Sequence, residues 1–218
     1  MTQWNEIYRK GRGKYSYYDI LRPHPDMGRV IKVFKKRGVG RVLDLGCGAG
    51  RNLWFLAKAG FSVSGIDAAR SGLRIARDFL KKNKLRAELT AGDVYKRLPY
   101  PDKSFDAVVS VQVLQHSDEA GIKRAIREIE RILSPGGLIF ITLCGRYSLG
   151  QVRYCLVKTA KRIGNHTYIP TRGEEKGLMH FIYTKDALRR HYKNFVIKSL
   201  WKDDKDYYCF IGALKKNS

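Results

Sequence analysis

One turn constrains this chain more than any other feature. Val42-Leu43-Asp44-Leu45 has the character of a short buried strand and stops in Gly46-Cys47-Gly48-Ala49-Gly50. Three glycines in five residues let the backbone turn sharply and let a ligand lie against the main chain. Arg51 to Ala59 follows, with apolar residues at 53, 54, 56 and 57, which suits a helix stopped by Gly60. A helix opening on such a loop aims its free amides at a bound negative group.

The same rhythm continues along the chain. Phe61 to Ile66 alternates as a second strand, and Ser71 to Leu80 sets Leu73, Ala76, Phe79 and Leu80 on one helical face. Arg86 to Thr90 reads as a third strand and Phe105 to Val111 as a valine-rich fourth. Asp118 can cap a helix whose apolar stripe runs from Ile122 to Leu133, ended by Ser134-Pro135-Gly136-Gly137. Leu138 to Leu143 is a further buried strand. Alternation of this kind predicts an α/β, doubly wound, mostly parallel Rossmann-like sheet with helices on both faces. Such sheets bind ligands at the carboxyl ends of the strands, near the point where strand order reverses. Beyond residue 182 the pattern changes. Tyr183 to Tyr192 suits a helix capped by Thr184, and Phe195–Trp201 with Tyr207–Leu214 reads as a hairpin, so the last strand should be antiparallel. Residues 146–182 fit neither pattern and read as an insertion or lid, with Gly150, Gly164, Gly173 and Gly177 as hinges.

The 218 residues suit one domain. The organisation expected is an N-terminal helical cover (1–40), a cofactor-binding core (41–145), the lid (146–182) and a last helix with its hairpin (183–218). No apolar run approaches the roughly 18 residues of a membrane span, and the N-terminus lacks a signal-peptide core; a cytoplasmic protein without membrane contact is expected. Cys47, Cys144, Cys155 and Cys209 form no C-x-x-C pair and have no histidine at ligand spacing, so no metal is expected.

A dinucleotide fingerprint counted from Gly46 would need a small residue at position 51, where this chain has Arg51. That opposes a nicotinamide cofactor. Asp67 ends the second strand, 21 residues after Gly46; a carboxylate there can accept from both ribose hydroxyls. Asp93 and Val94 follow the third strand, where a carboxylate can accept from an adenine amino group.

Together, Val42 to Gly50, Gly65-Ile66-Asp67, Gly92-Asp93-Val94, Phe105 to Ser110 and Leu133 to Gly137 resemble the class I S-adenosylmethionine-dependent methyltransferase family. The resemblance covers residues 41 to 145 and agrees with the final hairpin. It implies a seven-stranded sheet with an antiparallel last strand, S-adenosylmethionine as cofactor and S-adenosylhomocysteine as product. It further implies that Asp44 with Gly46, Cys47, Gly48 and Gly50 holds the methionyl end, that Asp67 with Ala68 holds the ribose, and that Asp93 and Val94 hold the adenine. Ser110, Gln112 and Gln115 would border the transferred methyl. Arg22, in an aromatic N-terminal segment with Trp4, Tyr8, Tyr15, Tyr17 and Tyr18, would pair with the methionine carboxylate. His116 and His180 are the candidate catalytic bases, should the acceptor need to lose a proton.

The acceptor is less legible. Ser110-Val111-Gln112-Val113 lacks the Asn/Asp-Pro-Pro-aromatic motif of exocyclic-amine enzymes, and no cysteine lies between Cys47 and Cys144 to attack a pyrimidine. Gly177 to Thr184 resembles the subgroup acting on small molecules. The net charge of +23, with 11 basic against 3 acidic residues in both 1–41 and 146–193 and no acid in 147–173, favours an anionic partner. A small anionic acceptor, an RNA (tRNA in particular), and a catalytically silent cofactor-binding role all remain open at this point.

Overall fold

The computed structural model describes residues 3–9, 22–148, 151–152, 159–173 and 175–216. Tyr15, Tyr17, Tyr18, Gly150 and Cys155 lie outside them.

Seven strands form one sheet in the order β11-β12-β5-β4-β1-β2-β3. Strands β1 (Arg41–Leu45), β2 (Ser62–Asp67), β3 (Glu88–Ala91), β4 (Phe105–Val111) and β5 (Leu133–Leu143) pair in parallel. β12 (Tyr208–Leu214) runs antiparallel to both β5 and β11 (Phe195–Lys202), so the last strand is the reversed one, as the hairpin pattern predicts. The chain fills β1 to β3 outward, then returns to place β4 on the other side of β1. The strand order therefore reverses between β1 and β4.

Both faces of the sheet are covered, which is why its central strands read as continuous apolar runs. One face packs Ile122, Ile126 and Ile129 of α5 (Glu119–Ile132) and Leu188 of α6 (Lys185–His191) against Leu43, Val108, Ile139 and Phe210. The other packs α2 (Met27–Lys36), α3 (Leu53–Lys58) and α4 (Arg70–Lys82) through Val30, Phe34, Leu56 and Leu73 onto Val42, Val63, Val109 and Phe140. Local signals set the helix ends. Asp118 accepts from the Gly121 amide at 2.7 Å and Thr184 Oγ1 from the Ala187 amide at 3.2 Å, each filling an orphan donor of the first turn. Leu133, at the end of the expected helical stripe, instead begins β5 by pairing with Phe105; the register shifts over the following turn.

Part of 146–182 is regular. β6 (Tyr147–Ser148) and β7 (Gln151–Val152) pair, and β8 (Ala160–Gly164), β9 (Thr167–Pro170) and β10 (His180–Phe181) form a small antiparallel sheet. Its far end is stitched to the core. The Phe181 and Tyr183 amides donate to the carbonyls of Gln115 and Cys144, while the Ile182 amide donates to that of His166 in the turn between β8 and β9. Strands this short carry too few residues for a period of two to show in the sequence.

His24 fastens the entry to α2. Its Nδ1 accepts the Asp26 amide at 3.2 Å, so Nε2 carries the proton given to Asp203 Oδ2 at 3.2 Å. Cys209 completes a compact group with His24 and Asp26. Burial, with Asp203 and Asp26 nearby, pushes its thiol up and keeps it protonated.

The loop after β3 is held by one side chain. Arg131 donates to both oxygens of Glu128, to Asp102 Oδ1, and to the carbonyls of Tyr100 and Leu98. Arg131→Leu is expected to lower the unfolding free energy by about 2 kcal/mol, since two carbonyls and Glu128 lose charged donors. Urea denaturation measures this, and an unchanged midpoint would show that the clamp contributes nothing.

Candidate active site

The carboxyl ends of β1, β2, β3 and β4 open into one cavity of roughly 320 Å³. That is within the size of small-molecule sites. β1 ends in Gly46 and Cys47, β2 in Asp67 and Ala68, β3 leads into Asp93, Val94 and Tyr95, and β4 ends in Val111 and Gln112. Val113 and His116 follow β4, Ala49, Arg51 and Asn52 follow the glycine loop, and Trp4 and Tyr8 of α1 (Gln3–Arg9) form the roof.

The floor is a network of backbone amides. Gly46 and Cys47 both donate to the Ile66 carbonyl, and Asp67 accepts from Gly48 at 2.8 Å and from Ala69 at 2.7 Å. A carboxylate has about four acceptor sites, so Asp67 keeps acceptor capacity toward the cavity it lines. Gly48 has φ +53°, and a Cβ there would collide with the Tyr8 hydroxyl; this glycine seats the roof. A Cβ on Gly50, at φ +84°, would meet Ala76 of α4 at 2.9 Å.

Asp44 lies beneath the floor, 1% exposed, with Oδ2 lacking a hydrogen-bond partner. Burial pushes its carboxyl up to about 7, against the opposing pull of Arg51 and the Leu53 amide. Arg51 lines the cavity and donates to Gln112 Oε1 at 3.2 Å. Gln112 itself holds φ +60°, its amide bonded to Thr142 Oγ1 at 2.9 Å. A left-handed non-glycine residue is strained, and such strain clusters at sites where a side chain must be aimed. Burial also pushes the Tyr8 hydroxyl well up, with Asp67 adding to it, so this roof residue stays neutral.

His116 lines the cavity, edge-on to Trp4 at 5.0 Å and to His180 at 4.6 Å between ring centres. Its Nδ1–H donates to the Met179 carbonyl at 3.3 Å, and its Nε2 takes the Gln115 amide at 3.4 Å. Burial, then His180, push it down to about 3, so it is neutral at ordinary pH. His180 stands behind it, 2% exposed, between the Leu178 carbonyl at 3.0 Å and Glu175 at 3.4 Å.

The cavity thus gathers Gly46, Cys47, Asp67, Ala68, Asp93, Val94, Gln112 and His116 from the residues expected in sequence. Gly48 and Gly50 shape the loop behind it. Ser110 is fully buried, donating to the Leu45 carbonyl at 3.1 Å, and Gln115 is 2% exposed beneath His116. Arg22 is exposed, and neither it nor His180 is part of the lining. The guanidinium in the cavity is that of Arg51, which in sequence stood out only as too large for a dinucleotide loop. α1 is tied down by Asn5, whose Oδ1 accepts from the Ser71 amide at 3.0 Å while Ser71 Oγ donates to the Asn5 carbonyl at 2.8 Å. No sequence motif marks that contact.

The doubly wound sheet with its seventh strand reversed is a fold that this chain shares with solved S-adenosylmethionine-dependent methyltransferases. Residues 42–137 match the family model described as a methyltransferase domain. The demethylmenaquinone methyltransferase of Tropheryma whipplei is 38% identical over 133 residues, 57% of this chain and 53% of that protein. The tRNA N(3)-methylcytidine methyltransferase Mettl2 of Drosophila melanogaster is 28% identical over 155 residues, 68% of this chain and 46% of that protein. A solved S-adenosylmethionine-dependent methyltransferase from Clostridium acetobutylicum shares the fold at TM-score 0.74 and 13% identity, covering 98% of this chain and 100% of that one. Over residues 42–137 the chain thus matches a methyltransferase domain, and it is similar in sequence and fold to S-adenosylmethionine-dependent methyltransferases. It spans about half the length of the curated relatives it matches.

The raised Asp44 makes the protein's stability pH-sensitive. With the folded value above the ordinary 3.8, its contribution to stability is full below about 4 and is lost as pH rises through about 7. Asp44→Asn, which keeps an oxygen for the Leu53 amide, is expected to remove that loss. Thermal midpoints of both proteins across this range test it; parallel curves would show that Asp44 ionises freely.

Proposed function

We propose that this chain transfers the methyl group of S-adenosylmethionine to an anionic acceptor entering beside Trp4 and His116. The observation that carries the reading is the charge sequence along one cavity: Arg51 over a buried Asp44, then Asp67, then Asp93 with Val94 and Tyr95. This order suits a zwitterionic amino acid, a ribose diol and an adenine in succession. The orphaned Oδ2 of Asp44 and the glycine cradle under Tyr8 are features that such a ligand fits.

In this reading Arg51 takes the methionine carboxylate, the role expected of Arg22, and Asp44 answers the ammonium through the floor of the loop. Asp67 accepts from both ribose hydroxyls. Asp93, whose other oxygen holds the Tyr95 amide at 2.9 Å, faces the adenine amino group, with Val94 against the ring. The cofactor supplies an electrophilic methyl on a sulfonium, so the protein's task is alignment, which can contribute on the order of 7–11 kcal/mol. His116 offers a neutral ring that orients the acceptor by a hydrogen bond or contact. A conjugate acid near 3 makes it a poor proton store, so it acts as a positioning group, with Glu175 and His180 holding it in place. The segment 146–182 acts as the cover of the acceptor side, and the N-terminal helix as the cover of the cofactor side.

The relatives named include enzymes called after a quinone precursor and after tRNA, and the net charge of +23 suits an anionic acceptor of either size. No described helix is long and apolar enough to cross a membrane, and the buried thiols Cys47, Cys144 and Cys209 suit the reducing cytoplasm, where we place the protein.

Calorimetry with S-adenosylhomocysteine is expected to show binding that weakens by about 30-fold in Asp67→Ala, since one charged acceptor of two hydroxyls is lost. Transfer of labelled methyl from S-adenosylmethionine to RNA or to anionic metabolites follows. No binding would overturn the reading; binding without transfer to either extract would reduce the protein to a cofactor-holding partner.

A further inference from the structure

The outer face of α4 is a ridge of positive charge. Leu73, Ala76 and Leu80 point into the core, and Arg70, Arg74, Arg77 and Lys81 stand exposed at the spacing i, i+4, i+7, i+11. That places four cations along about 16 Å of one helix face. Between residues 70 and 86 there are seven basic residues and one acid, Asp78. Among the described residues, none of these four cations is in an ion pair. On the opposite face of the sheet some of the cations meet acids. There Lys123 pairs with Glu119 at 2.8 Å, Arg131 with Glu128 at 2.7 Å and Arg189 with Asp186 at 3.7 Å. The ridge also works against its own helix. The first turn has no acid and carries arginine at its positive end, and like charges sit four apart. Helix formation therefore gives no reason for this arrangement.

The position of the ridge suggests its partner. Asp67 and Ala68 line the cavity, Ala69 precedes the helix, and Ser71 holds Asn5 of the roof helix. The row of cations thus starts at the rim of the cavity and leads away from it. A small anion needs one or two cations in a hollow, whereas a regular row on a convex helix matches a polymer of phosphates. A lipid surface would need apolar side chains beside the charge. Among the described residues, the exposed large apolar ones are Tyr147, Ile163 and Val196, none of them on α4.

We propose that α4 binds the phosphate backbone of an RNA through Arg70, Arg74, Arg77 and Lys81, and that the strand it holds presents a nucleotide to the cavity. The second clause rests on the methyl-transfer reading; RNA binding by the ridge does not.

The test is fluorescence anisotropy with a labelled, unmodified tRNA transcript between about 50 and 200 mM KCl. Four phosphate contacts predict a log–log salt slope of about −3 to −4. The double variant Arg74→Glu/Arg77→Glu is expected to bind at least about 30-fold more weakly, with roughly half the slope. Arg189→Glu/Arg190→Glu changes net charge equally on the far face and is expected to stay within about threefold of the parent. Calorimetry with S-adenosylhomocysteine should be the same in all three proteins, which shows that the variants are folded. Equal losses in the two variants, a flat salt response, or preference for phosphatidylserine vesicles that compete with the tRNA would each overturn the proposal. If the ridge results hold and S-adenosylhomocysteine fails to bind the parent, the methyl-transfer reading falls and the RNA surface stands.

Discussion

The site depends on Asp67. Its two oxygens take the amides of Gly48 and Ala69, which belong to the loops after β1 and β2. Those loops are also joined where Gly46 and Cys47 share the Ile66 carbonyl. One carboxylate therefore fixes the separation of two strand ends and the start of α4. Charge-assisted bonds of this kind are about twice as strong as neutral ones. Everything above the floor follows from that spacing: Tyr8 fits over Gly48 because the loop is held down, and α1 reaches Ser71 because α4 starts where it does.

The same floor concentrates negative charge in a dry place. Asp44 is buried and Asp67 half-buried, and both are pushed up, each chiefly by loss of water. Arg51 is the cation that draws Asp44 back. Asp44, whose Oδ2 has no partner, would serve stability better as an apolar residue of similar size. The ligand proposed above, with its own ammonium, hydroxyls and carboxylate, would answer Asp44, Asp67 and Arg51 in turn. Tyr8 and His116 are neutral neighbours by the same loss of water, so the roof adds shape without adding charge.

How much of this could be read in advance depended on which physical signal carried each part. Strands β1, β4 and β5 were legible because strands covered on both faces carry runs of apolar residues, and β2 because it alternates and ends at Asp67. The helix starts at Asp118 and Thr184 were legible because a cap is a local matter of one side chain and one turn. The strand order was legible only as an expectation of reversal, and the antiparallel β12 through its hairpin. Ser110 and Gln115 were placed at the methyl because they follow the fourth strand; distance along the chain cannot tell a side chain facing the cavity from one turned under it. Arg51 was hidden for the opposite reason: its size spoke against one cofactor, and only the fold brought it over Asp44. The strand pairs between 147 and 181 are too short to show a period.

Charge gives the sharpest case of what three dimensions add. Counted along the chain, the excess lies in residues 1–41 and 146–193, and α4 looks like an ordinary amphipathic helix. Folding adds α4 to that picture. Among the exposed cations of α5 and α6, Lys123 and Arg189 meet acids, whereas Arg70, Arg74, Arg77 and Lys81 of α4 are in no ion pair among the described residues and share the helix with one acid, Asp78. A field depends on charge left unbalanced at a surface, and so does recognition of a polyanion. The helix bearing that charge is the one that Asp67 anchors at its start, so the group that shapes the cofactor floor also sets where the cationic ridge meets the rim.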